Sequence, residues 1–163
     1  MWRSELKEDQ ITKALGRISV ALSDTSSLMH DIGDLMAEST KDNFRQGQAP
    51  DGTPWAPKSP ATLDAYERRG DGRPARPLIG PTTTLSTTIN YEVGTDSVAW
   101  GSNVIQAAVM HLGAPKGSLG TTSQGGSIPW GNIPARPYLG IGDQDRTDIL
   151  EIIEDYLETA ADG

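Results

Sequence analysis

Apolar positions over residues 4–23 recur at helical spacing: Leu6, Ile11, Ala14, Leu15, Ile18 and Leu22 share one side of an amphipathic helix. Asp24, Thr25 and Ser26 follow with side-chain oxygens suited to capping a second helix. Its apolar face is Leu28, Ile32, Leu35, Met36, Ser39 and Phe44, and Gly47 is the expected C-cap. The two helices form either an antiparallel pair or one long helix broken at 24–26.

From residue 48 to 77 the periodicity stops. PDGTPWAPKSPAT (50–62) holds four prolines and one tryptophan. Pro50-Asp51-Gly52 is a turn: proline presets φ, aspartate bonds its own backbone and glycine accepts positive φ. Thr53 and Ala56 precede prolines and are extended. Ser59-Pro60 opens a short helix over 60–69, with Leu63 and Tyr66 apolar, and GDGRPARP (70–77) breaks it. Trp55 either anchors this rigid bracket on the second helix or stands exposed as an interface hot spot.

Thr- and Val-rich alternation predicts strands over 87–93 and 97–101, joined through Gly94-Thr95-Asp96. Val104, Ile105, Ala108, Val109 and Leu112 predict a short helix over 103–112 that Gly113 stops. Residues 114–127 are Gly-, Ser- and Thr-rich, and so long a loop is either disordered or functional. A strand is expected over 136–141. The closing helix, 143–161, presents Ile149, Leu150, Ile153, Tyr156, Leu157 and Ala160 on one face.

Composition adds that 163 residues suit one domain with a modest core. Eighteen glycines and 11 prolines make it loop-rich, but periodicity at both ends argues against disorder. Four regions are expected in that domain: helices over 1–47, the Pro/Gly-rich bracket and short helix over 48–77, strands, a short helix and a flexible loop over 78–142, and an acidic helix over 143–161. The absence of cysteine excludes disulfides, thiolate metal sites and cysteine nucleophiles. The first residues lack the apolar core of a secretory signal, and no run is long enough to span a bilayer.

Net charge is −8, and most of it sits in the closing helix, where eight acids face one base, Arg146. Over 51–76, Lys58, Arg68, Arg69, Arg73 and Arg76 stand against four acids. So acidic a chain is a poor binder of DNA phosphates but suits an electropositive protein surface.

Candidate chemistry is thin. His30 reads as a solvated helix histidine, and neither it nor His111 has compact metal-ligand spacing. GAPKGSLGTTS lacks the Gly-Lys-Ser/Thr ending of a phosphate loop, and no local base activates the TTTLSTT hydroxyls. Glu151, Glu154, Asp155 and Glu158 form a solvated helix face or dock on a basic surface of a neighbouring subunit. Arg136, held extended before Pro137, presents a guanidinium suited to a carboxylate, in the acidic helix of its own chain or in another subunit. No catalytic residue, cofactor or metal is assigned, and the chain is not expected to be an enzyme.

Taken in order, several short motifs resemble one family. Phe44 precedes PDGTPW at 50–55. Leu-x-Gly and Leu85 follow, then Val-x-x-Gly-Ser at 98–102, Ala-x-x-His-x-Gly at 108–113 and Ile-Pro-Ala-Arg-Pro-Tyr-Leu-Gly at 133–140. Over roughly 28–158 the chain is similar to the phage virion morphogenesis (tail-completion) family of Mu-like tailed phages and prophages. The motif positions are Asp51, Gly52, Trp55, Leu85, His111, Gly113, Arg136, Pro137 and Leu139. The pattern departs from the family's around His111, with Ala107-Ala108 and Leu112 where an aromatic and a glutamine are usual.

The resemblance implies an α+β fold, a small, mostly antiparallel sheet packed against long N- and C-terminal helices, with extended loops. It implies a structural protein of the head–tail junction that completes or terminates the tail and enables head–tail joining. Such proteins form rings, commonly six-fold, between the tail tube protein and the head connector. DNA passes through the ring without sequence-specific binding, no membrane is involved, and the protein moves from host cytoplasm into the virion. Arg68, Arg69, Arg73, Arg76 and Arg136 are candidates to meet Glu151, Glu154, Asp155 and Glu158 across subunits. The competing readings are a transient morphogenesis chaperone or scaffold and, from another class, a wall-degrading hydrolase.

Overall fold

The structure is a computed structural model that describes residues 8–162. It is α+β. Its elements are α1 (Glu8–Ala21), α2 (Ser26–Gln46), α3 (Pro60–Arg68), α4 (Thr84–Thr87), β1 (Asn90–Val93), β2 (Val98–Gly101), α5 (Ala107–Leu112) and α6 (Asp143–Asp162). Leu6 lies outside the described residues.

The long helix α2 organises the molecule and serves two cores. Leu28, Ile32 and Met36 meet Val98 and Trp100 of β2 and Ile149, Ile152, Ile153 and Tyr156 of α6. Farther along, Ala37 and Phe44 enter a second cluster with Ala49, Trp55, Leu85, Ile89, Ala107 and Tyr138. Gly33 is the contact point for the sheet: a Cβ there would lie 2.4 Å from the Tyr91 ring, so only glycine lets β1 approach so closely. Gly47, at φ 74°, ends α2 in the left-handed conformation, with its N–H on the Asn43 carbonyl. Ser59 caps α3 through a 3.2 Å bond from the Thr62 N–H, with Pro60 in the first turn.

β1 and β2 form a two-stranded antiparallel sheet, with Asn90 opposite Gly101 and Val93 opposite Val98. The first strand starts later than expected. Thr87, its expected first residue, ends a short helix over 84–87, because Ser86, Thr87 and Thr88 turn their hydroxyls back onto the carbonyls of Thr83 and Thr84. Leu85, buried in the core, anchors that turn. The high β propensity of threonine loses to local side-chain bonding.

The terminal helices also differ from expectation. α1 and α2 are separate, and α1 packs on α6 rather than back along α2. The Arg17 guanidinium donates to the carbonyls of Ala161 and Asp162, and the Tyr156 hydroxyl donates to the Ala21 carbonyl. Ile11, Leu15 and Leu22 remain exposed. On α6 the buried face is rotated: Ile152 packs inward, whereas Leu150 is 59% exposed. Asp145 fixes this phase, since its carboxylate accepts from the Ser39 hydroxyl (2.6 Å) and the Gly142 N–H (2.7 Å).

Residues 114–133 are neither a disordered loop nor a regular hairpin. They form an arm closed by backbone bonds. Ala114 and Ile133 exchange both bonds at its root, and Gly117, Leu119 and Ile128 pair across its length. Thr122 and Gly126 close the tip. No strand forms over 136–141. Pro134 and Pro137 have no N–H to give a ladder, and the Arg136 N–H bonds the Met110 carbonyl of α5 instead.

Candidate functional site

The bracket over 47–58 is built by its own backbone. Trp55 N–H donates to Gly47, Ala49 N–H to Thr53 and Gly52 N–H to Ala49, all between 2.8 and 2.9 Å. Asp51 accepts from Thr53 N–H at 2.9 Å, which holds its carboxyl below the usual range, and Gly52 takes φ 82°. Asp51 and Gly52 therefore form an exposed, stiff tip. The segment 140–142 runs against it so tightly that a Cβ on Gly142 would lie 2.4 Å from the Pro50 carbonyl.

A strip over 133–139 clasps the bracket. The Trp55 side chain is buried, with its indole Nε1 donating to the Pro137 carbonyl at 2.7 Å. Its ring meets Phe44 edge-on at 5.5 Å, and Phe44 also packs on Tyr138. Arg136 is 7% exposed and donates through Nε to the Ala56 carbonyl (2.7 Å) and through Nη2 to the Pro57 carbonyl (2.9 Å). Among the described residues it meets neither the acidic helix nor any other carboxylate, so the expected ion pair within the chain is corrected. Prolines deprive their neighbours of backbone donors, and the guanidinium supplies them to the carbonyls of 56 and 57. Asn43 completes the clasp by donating to the Tyr138 carbonyl.

His111 lies on the other side of the strip. Its Nδ1 sits 3.3 Å from the Tyr138 N–H and 3.5 Å from the Leu139 N–H, and its ring meets Tyr138 edge-on. The imidazole acts as an acceptor and must be neutral there. Burial pushes its pKa below 6.5. The unfolded chain, near 6.5, therefore binds more protons between the two values. Stability is full above about pH 6.5 and falls as the pH drops from there through the folded value. Thermal melts from pH 7.5 to 5 are expected to show a steeper loss for the wild type than for His111→Gln; parallel curves would remove His111 from this role. Gly113, next to it, takes φ 75°, and a Cβ would lie 2.7 Å from the Ile133 carbonyl.

Between the bracket, α3 and the root of the arm opens a groove of about 730 Å³. Leu85 and Met110 lie in its wall, and Trp130, 72% exposed, stands at its edge. Lys58 reaches from this wall to the carbonyls of Pro74 and Ile79 and lies over the Tyr66 ring. Burial first, and then the charge of Arg136, lower its pKa. The sequence reading missed both the groove and Trp130. The signal available was an aromatic flanked by proline and glycine in IPWGN.

The remaining arginines stand apart from this site. Arg73 pairs with Asp64 (3.0 Å) and Glu67 (2.5 Å), and Arg69 with Asp71 (3.2 Å). Arg68 and Arg76 have no acidic partner among the described residues. On α6, Glu151, Glu154, Asp155 and Glu158 are exposed and unpaired among the described residues. His30 is exposed, with Nδ1 3.5 Å from the Tyr91 hydroxyl. Pro137 and Leu139 serve the strip, Pro137 through its carbonyl and Leu139 by packing on the core.

Comparison with known proteins gives two matches. The family model described as the phage virion morphogenesis family matches residues 6–158. A curated relative, the "Mu-like prophage FluMu G protein 2" of Haemophilus influenzae, is 30% identical over 149 residues, 91% of this chain and 90% of its own length. No solved structure matches the chain.

Proposed function

Because the chain belongs to the phage virion morphogenesis family, we propose that it is a structural protein of the head–tail junction, which completes or terminates the tail and lets the head join it. The observation that carries this reading is the family match over residues 6–158. Copies of the chain close into a ring, commonly six-fold, with the tail tube protein on one face and head connector or neck proteins on the other. The ring works by contact rather than by catalysis, and DNA passes through it without being read. It assembles in the host cytoplasm and stays in the virion. Among the described residues, no helix is long and apolar enough to cross a membrane.

Two features support a role built on contact. The acidic face of α6 and the groove beside the arm are both unoccupied within the chain and lie on different elements. A small ring subunit needs two such surfaces that differ from each other.

The test is electron microscopy of lysates from the phage or prophage that carries the gene, with the gene deleted. Filled heads beside unjoined tails are the expected result, with irregular tail lengths for a terminator and normal lengths for a completion protein. Normally joined particles would overturn the reading. Absence of the protein from finished wild-type particles would favour a transient chaperone instead.

A further inference from the structure

The groove carries an unusual charge for this chain. None of its lining residues is an aspartate or glutamate, although the whole protein bears −8. Its two charged side chains are both cations, Lys58 and Arg136. They are close enough for Arg136 to depress the Lys58 pKa, and neither has a carboxylate partner among the described residues. Lys58 spends two of its three N–H donors on carbonyls and Arg136 two of its five. Two desolvated like charges with donors to spare are stabilised by an incoming anion. The exposed Trp130 and the prolines 57, 60 and 134 add a stiff apolar rim.

The outer ridge of α6 has the opposite character. Asp143, Thr147, Leu150, Glu154 and Glu158 follow one another at helical spacing and are all exposed. One large apolar side chain thus stands among three carboxylates, none of them paired with a cation among the described residues. Within one chain the two surfaces do not meet. α6 packs on α1 and α2, whereas the groove is formed by the bracket, α3, α4, α5 and the arm.

We propose that the groove receives the outer ridge of α6 from a second copy of this chain, with Leu150 against Trp130 and Glu154 at Lys58. The contact joins two different surfaces, so each joined pair keeps one groove and one ridge free for the next neighbours, and the series closes into a ring. The inference rests on the ring reading above and gives it a specific interface. The apolar knob supplies the buried anchor. The carboxylate supplies the counter-charge that Lys58 and Arg136 lack.

The absence of cysteine makes a direct test possible. Gln106, exposed on the groove wall, and Glu151, exposed beside the ridge, are each changed to cysteine, singly and together. Purified protein and assembled particles are treated with a short bis-maleimide and run on denaturing gels. The Gln106→Cys/Glu151→Cys variant is expected to give a ladder of linked multimers, and each single variant only monomer. In the otherwise wild-type chain, Trp130→Ala should weaken self-association on the order of 30-fold. A mixture of Trp130→Ala with Leu150→Lys should stop at dimers, which join through the one intact pair of surfaces.

A multimeric wild type whose double variant does not link, or whose single variants link, overturns this interface and leaves the ring standing. A wild type that is monomeric in solution, together with a double variant that stays unlinked in particles, removes both. A ladder in solution with no protein in particles supports the contact and removes the virion role.

Discussion

Trp55→Ala is expected to lower the unfolding free energy by about 3–5 kcal/mol, the cost of emptying a buried tryptophan site. The indole fills the space between Phe44 and the strip, and its N–H satisfies the Pro137 carbonyl. Alanine leaves both a cavity and an orphaned acceptor. The effect should appear in denaturant unfolding as a shifted midpoint with an unchanged slope. Trp55→Ala protein that still folds at low temperature should still join particles, because the side chain is not on the surface. A stable, cooperatively folded Trp55→Ala protein that no longer joins particles would reverse this assignment and make Trp55 a contact residue.

Arg136→Met should cost about 2–4 kcal/mol. The change keeps the stem but removes the donors that serve the Ala56 and Pro57 carbonyls, and bonds from charged groups are the stronger kind. Arg136→Lys should recover only part of the loss, because one ammonium does not reproduce the planar fork that spans two successive carbonyls. Equilibrium unfolding of the three proteins gives the ranking. A Met variant within about 0.5 kcal/mol of wild type, the range of ordinary surface changes, would show that water serves those carbonyls equally well.

The parts of the fold that are specified locally were legible in the sequence. Gly47 as a helix stop and Ser59-Pro60 as a helix start each depend on a few neighbouring residues, and both appear in the structure. The buried phase of α6 was harder to read, since Leu150 and Ile152 are equally apolar. The choice between them is made by Asp145, which locks onto Ser39 from a distant helix. The clasp was not legible for a related reason. Arg136 reads as a cation suited to a carboxylate, and nothing nearby in sequence announces that the Ala56 and Pro57 carbonyls, 80 and 79 residues away, need its donors. The arm had no periodicity to detect, because its bonds run between backbone groups and its few large side chains, Leu119, Ile128 and Trp130, are scattered and exposed. The groove emerges only when the bracket and the root of the arm are brought together, although part of its lack of acids was open to view, since residues 97–142 hold no aspartate or glutamate.

The way the arm is closed has a consequence for how this protein can diversify. Ala114 and Ile133 exchange both backbone bonds at its root, and the bonds above them stay within the arm. The exposed tip, 120–126, contributes to neither core. The entropy of closing a loop grows only slowly with its length. Insertions, deletions and substitutions at the tip, apart from those at Gly120 and Gly125 with their positive φ, are therefore nearly neutral for folding. A lineage can rewrite this stretch, and the partners it suits, while the bracket, the clasp and both cores are inherited unchanged.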